Sequence, residues 1–423
     1  MTPVANLPDG PGLAPAVVAF GGGHGLAASL AALRRITDRL TAVVTVGDDG
    51  GSSGRLRAEL GALPPGDLRM ALAALASDDP WARTWTDVFQ RRFTGAGPLG
   101  GHALGNLVLA ALTEHVGSPV TALELAARLL GARGRVLPLS EEGIDIVAEV
   151  AGLDPADPAA TRRVRGQVAV ATTAGSVCEV WVEPPEPRAC RPACAAVEEA
   201  DWVVLGPGSL YTSMLPHLLV PEMHKAITGA NARRLIVLNL VAQPGETEGY
   251  TPEAHLRVLA RHAPGLTVDV VLADPTAVPD PVALAAAAAD LGARLRLAPV
   301  RAPSAPGTHD PALLAAAFEA VFADYHAAPT APEAPTAPEV PTAPDLPGIP
   351  AGPAAGSLPD RRSRSERPAI RPVMARATPP GASPRANHGP ESPPAGRGTG
   401  PAGDQAGTLG PPDPRVTARD LKE

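Results

Sequence analysis

The stretch Val43–Leu72, VVTVGDDGGSSGRLRAELGALPPGDLRMAL, constrains the fold more than any other part of this chain. It opens on a short apolar, β-branched run, Val43–Val46, of the kind that forms a parallel strand buried on both faces. The run ends in Gly47, Asp48 and Asp49, and the chain then turns through Gly50, Gly51, Ser52, Ser53 and Gly54. Glycine there permits positive φ and close backbone approach, so that two hydroxyls and freed N–H groups face whatever enters. Arg55 and Arg57 follow, and Arg69 arrives after the turn Pro64-Pro65-Gly66-Asp67. Carboxylates, backbone donors and guanidiniums at the C-terminal end of a strand suit a phosphorylated, hydroxylated ligand, with Mg²⁺ on Asp48 and Asp49. The plainer alternative is a Gly-rich turn closed by Asx caps beside a solvated Arg pair.

Two further segments repeat the theme. Ala16–Phe20 reads as a strand, followed by the turn Gly21-Gly22-Gly23-His24-Gly25 and a helix from Leu26 to about Arg35. That order puts backbone N–H groups at a helix start, where an anion is stabilised. The spacing is GGGxG and not the full dinucleotide fingerprint; Asp48 and Asp49 stand about 20 residues further on, where such βαβ units carry a ribose-binding carboxylate. His24 suits a phosphate or base, and equally a turn filler. Trp202–Leu205 is another strand, leading into Gly206-Pro207-Gly208-Ser209-Leu210-Tyr211-Thr212-Ser213, a second Gly/Ser turn feeding a helix. Asn239 lies near the end of the strand Leu235–Leu240. His102 and Asn106, four residues apart at the start of an apolar helix, share a helical face as a candidate site pair, or serve as a cap or a satisfied buried pair.

Between these segments lie a helical region over Trp81–Phe93, a helix over 120–131, and four short strands: Gly134–Ser140, Ile144–Val150, Gly166–Ala171 and Val177–Val182. The four strands predict a smaller β-rich lobe, about 132–198, inserted into an α/β sheet. Val268–Ala273 and Leu295–Ala298 are the last strands, and a helix from Asp310 to Tyr325, with Pro311 at its first position, closes the body.

Composition sets the boundaries. Of the 51 prolines, 22 fall in residues 327–423, and no aromatic residue follows Tyr325. Such a segment buries too little apolar surface to offset its ordering entropy, so a disordered tail is expected there, a spacer or a docking strip for a protein partner. Residues 1–14 read as a flexible leader and 15–326 as the folded domain. The start has neither a basic n-region nor an apolar h-region, and no run approaches a membrane span, so a cytoplasmic protein without membrane contact is expected. Residues 1–326 carry 25 basic against 34 acidic side chains, which argues against nucleic acid as a partner. Cys178, Cys190 and Cys194 fit neither a disulfide framework nor a zinc site.

GGGHGL, VTVGDDGGSSGRLRAELGALPPGDLR, GHALGNL, RGRVLPL, DWVVLGPGSLYTSMLPHLLVP, LNLVAQPGETEGY and THDP occur in this order. Together they closely resemble the bacterial gluconeogenesis factor family (YvcK-like), within the 2-phospho-L-lactate transferase (CofD-like) superfamily, over residues 16–325. The resemblance implies a doubly wound, mostly parallel Rossmann-like α/β sheet with an inserted lobe, in a cytoplasmic UDP-sugar binder. It also implies a link to cell shape and wall synthesis during growth on gluconeogenic carbon. The related transferases move a phospholactyl group from a nucleoside diphosphate donor with Mg²⁺ and paired aspartates, which match Asp48 and Asp49. Met70 stands where many members carry Asn. The ligand-contacting set expected is Gly21, Gly22, Gly23, His24, Gly25, Asp48, Asp49, Gly51, Ser52, Ser53, Arg55, Arg69, His102, Asn106, Gly206, Gly208, Ser209, Tyr211, Thr212 and Asn239. A homo-oligomer is expected. A regulatory binder is favoured over a Mg²⁺-dependent phospholactyl-type transferase, because no nucleophile–base–orienter set can be placed and aromatic residues to stack a deazaflavin are only 3% of the chain. No catalytic residue is assigned.

Overall fold

Val17–Gly21 (β1) is buried at every position, the pattern of a strand covered on both faces. A computed structural model describes residues 14–243 and 246–326; the expected leader up to residue 13 and the expected tail 327–423 lie outside the described residues. After β1 come α1 (Gly23–Leu33), β2 (Leu40–Val44), and five helices: α2 (Gly51–Leu60), α3 (Pro65–Leu75), α4 (Pro80–Gln90), α5 (Leu104–Val116) and α6 (Pro119–Leu129). The chain returns in β3 (Arg135–Pro138), then runs through β4 (Asp145–Ala151), β5 (Thr161–Arg165), α7 (Gln167–Ala171), β6 (Ser176–Glu183) and α8 (Arg191–Glu198). Next are β7 (Trp202–Leu205), a π-helical turn Leu210–Met214, α9 (Leu215–Leu219), α10 (Pro221–Gly229), β8 (Arg233–Val237) and α11 (Pro252–His262). The body ends with β9 (Val270–Ala273), α12 (Pro281–Ala289), β10 (Arg294–Leu297), the short pair β11 (Arg301–Ala302) and β12 (Ala305–His309), and α13 (Pro311–His326).

Seven strands form one parallel sheet in the order β10-β9-β8-β7-β1-β2-β3. Alternate residues of each strand feed two cores, Val18, Phe20, Val203 and Ile236 on one face and Val17, Ala19, Val204 and Leu235 on the other. The connection direction reverses between β1 and β7. Such a switch point opens a crevice beyond the carboxyl ends of the strands, where open α/β sheets bind ligands. This is the doubly wound α/β fold expected, with a small antiparallel sheet, β5-β4-β6, attached.

Proline sets many helix starts. Pro80, Pro119, Pro252, Pro281 and Pro311 each follow a capping Asp79, Ser118, Thr251, Asp280 or Asp310 whose side chain accepts helix N–H groups. Four expectations change at the level of elements. Gly51–Gly54 is the first turn of α2 and not a loop, because Gly54 N–H already donates to the Gly50 carbonyl. Gly134–Ser140 supplies β3, the edge of the large sheet, and is not part of the small one. Gly166–Ala171 supplies the short helix α7 from Gln167 on, and the third strand of the small sheet is the Arg-rich β5, which alternation of apolar residues could not reveal. His102 precedes α5, so it does not share a helical face with Asn106.

Candidate functional site

The turns after β1 and β7 are pressed together at the switch point. Gly23 adopts φ +57° at the start of α1. A Cβ at Gly25 would overlap the Pro207 carbonyl and lie 3.0 Å from the Gly208 Cα, so glycine is what allows the two turns to touch. Ser29 Oγ donates to the Gly206 carbonyl at 3.0 Å. Beneath them lies His217, fully buried, with its ring edge-on to Phe20. Burial lowers its pKa to about 4 and keeps it neutral. Its Nε2 lies 3.3 Å from the Gly21 carbonyl and donates to it, which leaves Nδ1 without a partner.

Both helix starts at these turns already hold a carboxylate from elsewhere in the chain. Asp67, near the start of α3, lies against Gly22 so closely that a Cβ there would overlap Oδ2. Burial, with the neighbouring Asp48 adding to it, raises the Asp67 pKa to about 7, while the Gly23 N–H and Arg69 oppose the rise. At the second turn the buried Glu246 Oε1 accepts the Tyr211 N–H at 2.7 Å and the Ser209 hydroxyl, which also bonds to Thr212. Asn239 braces Gly208 from both sides, accepting its N–H at 2.9 Å and donating to its carbonyl at 2.7 Å. The Tyr211 ring is buried in the core and its hydroxyl meets that of Tyr250 at 2.8 Å.

The start of α2 differs. Gly50 provides no side-chain cap, and a Cβ at Gly51 would meet nothing within 4 Å. Asp48 Oδ1 accepts the Gly50 N–H at 2.9 Å, and Ser53 Oγ accepts the Gly66 N–H at 3.0 Å, joining α2 to α3. Behind this turn runs a buried polar chain. Arg69 Nε donates to Asn106 Oδ1 at 2.8 Å, Asn106 Nδ2 donates to Ser52 Oγ at 2.9 Å, and Ser52 Oγ meets His102 Nδ1 at 2.8 Å. Arg69 is only 4% exposed, yet among the described residues no carboxylate lies within ion-pair range and its terminal nitrogens have no protein acceptor. Burial, reinforced by Arg92 and opposed by Asp67, lowers its pKa to about 10. A buried guanidinium without a counter-charge is costly, and an anion supplied from outside would offset that cost. The His102 pKa is also lowered, by burial and by Arg55.

Of the expected set, the fold gathers Gly21–Gly25 with Gly206–Gly208, and Ser52, Arg69, His102 and Asn106 with one another. Others lie apart. His24 is exposed on the first turn of α1. Arg55 donates to the Pro98 and Gly100 carbonyls, at 3.2 and 2.7 Å, and so holds the 94–101 loop. Asp49 is exposed and reaches Val168, away from Asp48. A Mg²⁺ ion here would find Asp48 as its carboxylate; it suits an ion that takes one or two carboxylates and completes its shell with phosphate and water. Sequence reasoning passed over Asp67, Glu246 and His217. Asp67 was legible as an acid in the first turn behind Pro65, whereas the partners of Glu246 and His217 lie 35 and 196 residues away.

Residues 17–295 match the family described as 2-phospho-L-lactate transferase CofD. The chain belongs to this family. A Mycobacterium tuberculosis protein named "Putative gluconeogenesis factor" is 53% identical over 310 residues, 73% of this chain and 90% of its own. The Bacillus subtilis gluconeogenesis factor is 38% identical over 271 residues, 64% of this chain and 82% of its own. A crystal structure of a UPF0052-family protein from Bacillus halodurans superposes with a TM-score of 0.63 at 34% identity, covering 72% of this chain and 98% of that one. Among the described residues no helix is long and apolar enough to cross a membrane.

Proposed function

We propose that this CofD-family protein is a nucleotide-sugar-binding regulator, with a UDP-sugar as its ligand and no turnover of it. The reading extends to a cytoplasmic role in cell shape and wall synthesis during gluconeogenic growth, as its resemblance to gluconeogenesis factors implies. The observation that carries it is Arg69: a buried guanidinium with no ion-pair counter-charge among the described residues, joined through Asn106 and Ser52 to the first turn of α2. A diphosphate supplies that charge, taking N–H bonds from the first turn of α2 and a bidentate contact from Arg69. Mg²⁺, when bound, neutralises phosphate charge, and Asp48 is the side chain that would hold it. The touching glycine turns and the peptide of Gly208, fixed by Asn239, form the adjoining wall for the rest of the ligand.

A thermal-shift screen with UDP-glucose, GDP, NAD⁺ and a deazaflavin tests this. A ligand that binds only the folded state stabilises it by RT ln(1 + [L]/Kd), about 2.7 kcal/mol at 100-fold over Kd. A shift with UDP-glucose and none with the deazaflavin is expected. A shift with the deazaflavin and GDP alone would replace the binder by a phospholactyl-type transferase, the activity for which the matched family is described.

A further inference from the structure

The small antiparallel sheet is tied to the candidate site through one short segment. Asp49 Oδ1, in the turn after β2, accepts the Val168 N–H at 2.9 Å. Gly166, just before α7 and at φ +103°, lies so close to the same carboxylate that a Cβ there would overlap Oδ2. The Val168 side chain in turn covers Gly50, with Cγ2 2.8 Å from where a Cβ would stand. At its other side α7 packs on the π-helical turn 210–214. This segment therefore reaches from the Asp48–Gly54 turn to the second glycine turn. A separate tie fixes the small sheet itself: Arg57 meets Asp145 Oδ1 at 2.6 Å, and Arg165 Nε meets Asp145 Oδ2 at 2.9 Å.

A helix of five residues does not persist by its own hydrogen bonds, so α7 depends on what holds it. Its holders are unequal. Val170 is anchored in the core, whereas Asp49 is exposed and Val168 is 47% exposed, so water competes for that contact. Asp49 also lies just before the N–H groups of Gly51–Ser53, which the proposed diphosphate would use. We propose that α7 is a strap across the mouth of the site, latched by Asp49, and that occupancy of the first turn of α2 shifts the latch and so reaches the small sheet. The coupling half rests on the ligand reading above; the latch is a property of the free protein. A ligand moves such an equilibrium only through a difference in affinity between latched and released forms, and the shared turn provides it.

Hydrogen–deuterium exchange of the peptide covering residues 166–172 tests both halves, with β1 and α1 peptides as the check that each variant is folded. In the free protein Asp49→Ala should speed exchange of 166–172 at least tenfold, while Asp49→Asn, which keeps an accepting Oδ1 without the charge, should stay within threefold of wild type. Unchanged exchange in Asp49→Ala overturns the latch. Gly166→Ala, which intrudes on the carboxylate from the opposite side, should reproduce the faster exchange, and slow exchange there also counts against it. With UDP-glucose at concentrations shown by calorimetry to saturate the protein, exchange of 166–172 should change at least threefold in wild type and not in Asp49→Ala. Saturation with no change in wild type overturns the coupling. Failure of UDP-glucose to bind wild type removes the nucleotide-sugar reading instead, and the strap then stands or falls on the free-protein comparison.

Discussion

The turns after β1 and β7 and the turn after β2 are all rich in glycine, the last two with serine, at the carboxyl end of a buried strand, yet they differ in charge. At Gly22 and at Ser209–Tyr211 the chain brings in its own carboxylates, Asp67 and Glu246. At Gly50–Ser53 Asp48 takes only the Gly50 N–H, no side chain caps the first turn of α2, and a buried cation, Arg69, stands behind it. A helix start favours an anion wherever it occurs. Whether it binds a ligand depends on whether a carboxyl group of the chain already occupies it. On this account the first two turns are walls and the third is the phosphate subsite.

The largest effect is expected at Arg69. Arg69→Met removes charge-assisted bonds to the ligand and should weaken UDP-glucose binding about 10- to 100-fold, corresponding to about 1.5–3 kcal/mol, by calorimetric titration. Folding stability should change less, since an apolar side chain of similar length replaces a buried charge without an ion-pair contact, and the loss is confined to the Asn106 hydrogen bond. An equal loss on Ser209→Ala would place the phosphate at the second turn.

Asp67 sharpens the same contrast through pH. Its folded-state pKa, about 7, lies above the ordinary 3.8, so between those values the folded state binds the extra proton. Stability from this group is therefore full below about pH 4, falls as pH rises through the window, and is lost above about 7. Asp67→Asn should remove that slope and raise stability at pH 8 by about 1–3 kcal/mol, allowing for solvent around a partly exposed carboxyl. Urea denaturation at pH 5.5 and pH 8 checks it; a variant that keeps the wild-type slope would mean Asp67 is ionised at little cost.

The smallest effect is expected from the tail. Truncation after residue 326 removes a segment rich in proline and without aromatic residues, and should leave the ligand-induced thermal shift unchanged. A truncated protein that folds and no longer binds would make the tail part of the site.

The large sheet was legible because parallel strands are short apolar runs that lead into a glycine turn, as Val17–Gly21 and Trp202–Leu205 do. The small sheet was less so, since β5 is TRRVR and its side chains find ion pairs with Asp145, Asp154 and Glu183 in place of a core. At the site, glycines and serines announced three turns. They carried no sign of which turn was neutralised from within, because that depends on contacts such as Glu246 with Tyr211, 35 residues apart. Asp48 and Asp49 are adjacent in sequence and diverge in space for the same reason: one turns to the Gly50 N–H, the other to α7.

On the proposed reading the diphosphate lies at the first turn of α2 beside Arg69 and is not consumed. Phosphorus NMR of UDP-glucose with Mg²⁺, titrated with wild type and with Arg69→Met, tests it most directly. Both phosphorus resonances should shift saturably with wild type, persist unchanged for hours, and not shift with Arg69→Met at the same concentrations. Equal shifts with the two proteins, or release of UDP or UMP beyond the amount of protein present, would contradict it.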